Sequence, residues 1–380
     1  MLHLPVYLDN NATTPVDPRV LETMLPFFTN YFGNAASHSH TFGWEAEAAV
    51  KYARELVAQL INAEPNEIIF TSGATESDNL ALKGIFEMYA SKGNHLITVT
   101  TEHKAVLDSC AHLEKLGAEI TYLNVKKDGV IDLKELESAI KPETILIAIM
   151  YANNETGVIQ PVKEIGAIAE KHGVLYFSDA TQAVGKIAVD VIQDNIDLMS
   201  FSAHKIYGPK GVGALYIRRK NPRVRLTSQI DGGGHERGFR SGTLNVPGIV
   251  GFGKACELCK IEMKKEGDNL KILRDKLESA LVNTQKVQIN GSTNYRLPNV
   301  SNMSFSNRNS AELMAKLSKN IALSSGSACT SATLSPSFVL KAMGLNDEEA
   351  LSSLRFGLGR FNTEEEIDYT IGQLTDLLAD

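Results

Sequence analysis

Apolar and polar positions along the 380-residue chain fall into two regimes. From residue 45 to about 217, short apolar runs alternate with segments of helical period. The runs are EIIF (67–70), HLITV (95–99), ILIAIMYA (145–152), VLYFSDA (174–180), LMSFSA (198–203) and GVGALYI (211–217). Between them, WEAEAAVKYARELVAQLI (44–61) and VKEIGAIAEKHG (162–173) repeat apolar residues at the spacing of an amphipathic helix. Runs that are apolar throughout suit strands covered on both faces, so the pattern predicts one large α/β unit with a mostly parallel sheet.

Further on, GKACELCKIEMKKEGDNLKILRDKLESAL (253–281) predicts a long helix. After it, VQIN, VSNMSFS, LSSLRFGLG and a last helix near 363–378 mix strands and helices more loosely. A smaller α+β unit, joined by the first dozen residues, is expected there. The chain exceeds the size at which a single core usually stops growing, which agrees with two domains.

Composition leaves this picture in place, since 43% hydrophobic and 22% charged residues are ordinary for a globular protein. A formal charge of −7 argues against direct nucleic-acid binding, and the densest basic run, RRKNPRVR (218–225), reads as an exposed hairpin after GALYI. MLHLPVYLDNN has no basic start followed by an apolar stretch, and no apolar run nears the ~20 residues that span a bilayer. A cytoplasmic protein without a membrane partner is expected. The four cysteines, Cys110, Cys256, Cys259 and Cys329, make no disulfide framework. Cys256 and Cys259 form a CxxC inside a helical pattern without a second pair or a His, so they read as packed thiols, as does Cys110.

Chemistry enters at the ends of the apolar runs. VLYFSDA puts Asp179, and LMSFSAHK puts Lys205, where ligands of open α/β sheets bind, outside the carboxyl ends of the strands. An acid and an amine so placed are what pyridoxal phosphate (PLP) needs: a lysine to bond its aldehyde and a carboxylate to keep its ring nitrogen protonated. Read singly, Asp179 equals a helix cap and Lys205 a surface ammonium; together with Ser202, His204 and the turn YGPKG they favour a site. EIIF followed by TSGATESDN (71–79) supplies a strand, a glycine turn and a helix start, a ready anion site at Gly73, Ala74 and Thr75. Thr75 serves equally well as a cap.

IALSSGSACTSATLSPS (321–337) passes from an apolar strand into small polar residues around Cys329, a composition that reads as a mobile loop presenting a thiol. A free thiol with pKa of about 8.5 is little ionised at neutral pH, so a reactive Cys329 would call for a nearby base or cation.

From YLDNNATTP (7–15) to FGLGRFNTEEEIDYT (356–370), the chain resembles the NifS/IscS-type cysteine desulfurases, PLP enzymes of fold type I. FTSGATESDN, TEHKAVL, NNETG, DATQAVGK, SAHKIYGPKG, GGGHERGFRSGT and SSGSACTSA carry the resemblance, in family order. It implies a large domain (15–258) with a mostly parallel seven-stranded sheet covered by helices, plus a smaller α+β domain (1–14 and 259–380) bearing the cysteine loop. By the same resemblance Lys205 bonds PLP and Asp179 pairs with the ring nitrogen. Gln182 and Asn154 contact the ring oxygen or substrate, and His103 stacks on the ring and moves protons. Ala74, Thr75, Ser202 and His204 resemble the phosphate-binding set. Thr243 resembles the residue that reaches the phosphate of a neighbouring subunit, implying a homodimer with shared active sites. Arg355, helped by Asn34, matches the clamp for the substrate carboxylate.

The implied reaction takes L-cysteine to L-alanine through a PLP aldimine and a persulfide on Cys329, with sulfur passed to an iron–sulfur scaffold protein, to tRNA thiolation and to other acceptors. A selenocysteine lyase, another fold type I enzyme acting on a small amino acid, and a non-catalytic sulfur-carrier subunit are the alternatives. Two departures stand out: FGNAAS replaces the family's FGNPSS beside Asn34, and the chain stops at Asp380, short of the C-terminal segment with which housekeeping members dock the scaffold.

Overall fold

The computed structural model describes residues 2–326 and 335–379. Strand β1 (Val6–Tyr7) precedes a central sheet of β2 (Ile68–Thr71), β3 (His95–Val99), β4 (Glu119–Leu123), β5 (Thr144–Ala148), β6 (Leu175–Asp179), β7 (Leu198–Ser202) and β8 (Gly213–Ile217). These seven run in the spatial order β2-β8-β7-β6-β5-β3-β4. Neighbours are parallel except at β8, which lies antiparallel to both β2 and β7. Beyond the central sheet come β9 (Val287–Ile289), β10 (Val300–Phe305), β11 (Ile321–Ala322) and β12 (Ser353–Gly357). Strands β12, β10 and β9 form an antiparallel sheet, and β1 pairs with β11 in parallel.

Alternate residues of the central strands feed two separate cores, as strand pleating requires. On one face Ile97, Tyr176, Met199 and Phe201 pack with the helix Thr41–Leu60 and the start of Val246–Val282; on the other, Leu96, Phe177, Leu198 and Leu215 pack with the helices Ala74–Met88 and Lys104–Glu114. The small sheet has its own core, where Val6 and Leu8 meet Met303, Phe305, Leu354 and Phe356. The helix Val246–Val282 joins the two regions: Phe252 and Cys256 sit in the first core, Leu270 and Leu277 in the last. Residue 258, where the sequence suggests a division, therefore falls inside a continuous helix.

That helix begins at Val246 and not at Gly253. Gly248, Gly251 and Gly253 weaken its helical signal, yet Asn245 caps it by accepting from Gly248 N–H at 3.1 Å. Gly253 is required by packing, because a Cβ there would stand 2.7 Å from Ala53 Cα. Strand β4 escapes the apolar pattern because it lies at the sheet's edge, with Glu119 exposed and Thr121 half-buried. Among the described residues, no helix is long and apolar enough to cross a membrane.

Candidate active site

The carboxyl ends of β2, β3, β5, β6 and β7 open on a cavity of about 490 Å³, within the size range of small-ligand pockets. Ala74, Thr75, His103, Asn154, Asp179, Gln182, Ser202, His204, Lys205 and Arg355 all line it. These residues are scattered from position 74 to position 355, and the parallel topology is what gathers them.

At one end, β2 passes through Ser72 and Gly73 into the helix Ala74–Met88. Gly213 of β8 makes room for this turn, since a Cβ there would lie 2.7 Å from Gly73 Cα. The first-turn N–H groups of a helix have no intrahelical acceptors, and they stand here beside Thr75, Ser202 and His204. The His204 ring is fixed by Thr13, with Nδ1 3.1 Å from Oγ1. Burial, helped by the charges of Lys205 and Lys210, pushes its pKa down to about 4, so the ring is neutral at neutral pH. Glu76 occupies the same turn, where it accepts from Ser72 N–H at 2.8 Å and pairs with Arg240.

Deeper in the cavity, the Asp179 carboxylate accepts from Thr181 N–H at 2.9 Å. Two further carboxyls lie in its neighbourhood with almost no exposure. Asp78 accepts from Ser200 Oγ at 2.5 Å, and Ser200 is the register partner of Asp179 across β6 and β7. Glu102 accepts from Met150 N–H at 2.5 Å. Asp78 Oδ2 and Glu102 Oε2 have no hydrogen-bond partner. Burial, reinforced by repulsion from Asp179, pushes both carboxyls well above their usual range, which favours their protonated forms.

His103 caps the helix Lys104–Glu114, its Nδ1 accepting from Ala105 N–H at 3.2 Å. Burial lowers its pKa against the pull of Asp179, which gives a neutral ring with its proton on Nε2. Lys205 Nζ donates to the carbonyls of Asn11 and Ala12, at 2.5 and 2.7 Å. Gln182 and Asn11 hold each other: Gln182 Nε2 donates to Asn11 O at 3.0 Å and Asn11 Nδ2 to Gln182 Oε1 at 3.2 Å. The segment that follows β1 thus crosses the lysine.

Arg355, 1% exposed, enters from β12 of the small sheet. Nη1 donates to Asn154 O at 3.0 Å, Nη2 pairs with Asp9 Oδ1 at 2.7 Å, and Nε has no hydrogen-bond partner. Asn11 Oδ1, Asn154 Oδ1 and Thr181 Oγ1, all belonging to lining residues, are buried and unpartnered too. Buried polar groups are normally satisfied, so this lining has the character of a ligand site. Its donor set fits PLP: a helix start with hydroxyls for a phosphate, a buried carboxylate for a ring nitrogen and an amine for an aldehyde.

Two expected residues among the described ones, Thr243 and Asn34, do not line this cavity. Thr243 is exposed outside it. Asn34 is exposed as well, its Oδ1 accepting from Ala36 N–H at 2.9 Å, so within one chain it gives the Arg355 clamp no help. Cys329 lies outside the described residues. On either side of it, Ser337 Oγ donates to Glu155 Oε2 at 2.5 Å, and a Cβ on Gly326 would lie 3.2 Å from the same oxygen.

The other cysteines are buried and free. Burial raises their thiols, Cys110 to about 12 and Cys259 to about 11, so neither is a nucleophile at neutral pH. Among the described residues, no group of His, Cys, Asp and Glu could hold a metal ion.

Sequence reasoning overlooked Asp9, Glu76, Asp78 and Glu102 as parts of the site. Asp78 left a trace, as an acid on the apolar face of a helix; Asp9 left none, because its partner is 346 positions away.

The model of a family described as aminotransferase class-V matches residues 6–370. The cysteine desulfurase IscS of Anaeromyxobacter dehalogenans (strain 2CP-C) is 57% identical over 371 residues, covering 97% of this chain and 91% of its own. That of Escherichia coli O139:H28 is 56% identical over 385 residues, covering 99% and 95%. A solved NifS-like protein superposes with a TM-score of 0.92 at 41% identity, covering 99% of this chain and 100% of that one. SspA, solved in complex with cysteine, gives 0.82 at 38%, covering 94% and 100%.

Proposed function

The chain belongs to the aminotransferase class-V family, whose members depend on PLP in general, and within it to the cysteine desulfurases; we propose that it converts L-cysteine to L-alanine and carries the released sulfur as a persulfide on Cys329. One observation carries this reading. Asp179 at the end of β6 and Lys205 just beyond β7, neighbouring strands, open on one cavity with the buried guanidinium of Arg355.

PLP, when bound, supplies an electron sink for bond changes at the substrate's α- and β-carbons. Thr75, Ser202, His204 and the amides at Ala74 and Thr75 hold its phosphate, Asp179 its ring nitrogen and Lys205 its aldehyde. Arg355 and Asn154 grip the carboxylate of L-cysteine and aim its α-hydrogen at Lys205 Nζ, which takes the proton. Gln182 would contact the ring oxygen or substrate, and neutral His103 would stack on the bound ring and relay protons. The Cys329 thiolate then attacks the substrate sulfur: the new S–S bond forms as the carbon–sulfur bond breaks. The electron pair stays with the β-carbon, which takes a proton, and the proton held on Lys205 Nζ returns to the α-carbon to give alanine.

Sulfur leaves by exchange to an acceptor thiol, toward iron–sulfur cluster assembly on a scaffold protein and tRNA thiolation. The working unit is a homodimer in which Thr243 reaches the phosphate site of a second copy. Phe28, Phe32 and Trp44, exposed by 59%, 64% and 52%, support an interface on residues 25–52. The test is direct: purified protein supplied with PLP shows the absorption of lysine-bound cofactor, and with L-cysteine and a reductant it yields alanine and sulfide in equal amounts. A protein that stays colourless after PLP is added overturns the reading.

A further inference from the structure

The anion site at the start of the helix Ala74–Met88 contains an anion of its own. Glu76 stands in the first turn and lines the cavity, and its Oε2 already takes the Ser72 N–H. An acid in a first turn is favourable in itself, but a phosphomonoester carries nearly two negative charges, and both would share one half-enclosed turn. Arg240 resolves the conflict. Its Nε lies 2.8 Å from Glu76 Oε1 and its Nη2 3.3 Å from Oε2, a two-pronged contact between side chains 22% and 16% exposed. The pair keeps Glu76 ionised although burial opposes it.

The loop that presents Arg240 is itself fastened to the strand leading into this turn. Glu236 takes a bidentate pair from Arg54 at 2.6 and 2.7 Å and accepts the β2 amide of Phe70 at 2.8 Å. Ser241 N–H donates to Ile230 O at 3.1 Å, and Gly234 N–H to Ser241 Oγ at 3.2 Å. Arg240 is thus delivered to the rim of the turn by a fixed frame.

We propose that Arg240 is a positioning residue for the cofactor: by neutralising Glu76 and fixing its carboxylate, it lets this helix start accept the phosphate of PLP. The inference rests on the PLP reading above. Its signature is phosphate dependence, which a general structural role would not produce.

The test measures dissociation constants for PLP and for pyridoxal, which lacks the phosphate, on the full chain freed of cofactor. Arg240→Gln weakens PLP by about tenfold and pyridoxal by less than about twofold, since the repulsion acts on charge. Adding Glu76→Gln to Arg240→Gln removes the unpaired carboxylate and restores most of the PLP affinity. Arg240→Lys, which keeps the charge without the fork, gives an intermediate loss confined to PLP and serves if the Gln variant does not fold. Equal weakening of both ligands, an unchanged PLP constant or no rescue by Glu76→Gln would each overturn the inference and leave the PLP reading intact. Failure of the unaltered chain to bind PLP would overturn both.

Discussion

Arg355 meets Asp9 through Nη2 at 2.7 Å, joining β12 of the small sheet to the segment that follows β1. With Nη1 on Asn154 O, two faces of the guanidinium are engaged, while Nε remains unpartnered in a nearly dry setting. The guanidinium proposed to clamp the substrate carboxylate is thereby held in one orientation, with part of its charge balanced by Asp9.

Arg355→Lys tests that arrangement. A lysine supplies a point charge in place of the planar fork, so it cannot serve Asn154, Asp9 and a substrate carboxylate together. The expected result is a KM for L-cysteine raised about 10- to 100-fold with a smaller change in kcat, read from steady-state alanine production. A KM within about twofold of the unaltered enzyme would remove Arg355 from substrate binding.

The raised acids near Asp179 make a prediction about pH. Burial raises the folded-state pKa of Glu102 above the ordinary value of about 4.3, so the folded chain binds more protons than the unfolded one as pH climbs above that value, and stability falls there. Glu102→Gln removes this titration and keeps an acceptor for Met150 N–H. Thermal melts at pH 5 and pH 8 should show a smaller fall in Tm for Glu102→Gln than for the unaltered protein. An identical pH dependence would mean that Glu102 is ionised in the fold.

His204 acts in the opposite direction. Its folded-state pKa, near 4, lies below the ordinary 6.5, so between these values the unfolded chain binds the extra proton and stability is lost as pH falls. In cofactor-free protein, His204→Asn should lose less Tm between pH 6.5 and pH 4.5 than the unaltered chain. A parallel acid decline in both proteins would count against the burial of a neutral ring.

How much of this was visible beforehand depends on distance along the chain. Asp179 and Lys205 could be read from local pattern, because each ends an apolar run and parallel sheets place such ends together. The turn at Gly73 was legible for the same reason. Strand β4 was not, since an edge strand with Glu119 in solvent lacks an apolar signature. Nor was the start of the long helix, because its early glycines serve packing against Ala53 and not helix propensity. Contacts such as Asp9 with Arg355 and Glu76 with Arg240 join residues separated by most or much of the chain, and no periodicity records them.

The central claim is that Cys329 carries the sulfur, and one variant addresses it. Cys329→Ser should bind PLP and respond spectrally to L-cysteine as the unaltered enzyme does, yet form no protein persulfide and lose at least about 100-fold in alanine production, as expected when the nucleophile of a covalent step is removed. Measured in one assay, with alanine and protein-bound sulfur quantified together, that outcome supports the account. Undiminished alanine from Cys329→Ser would contradict it.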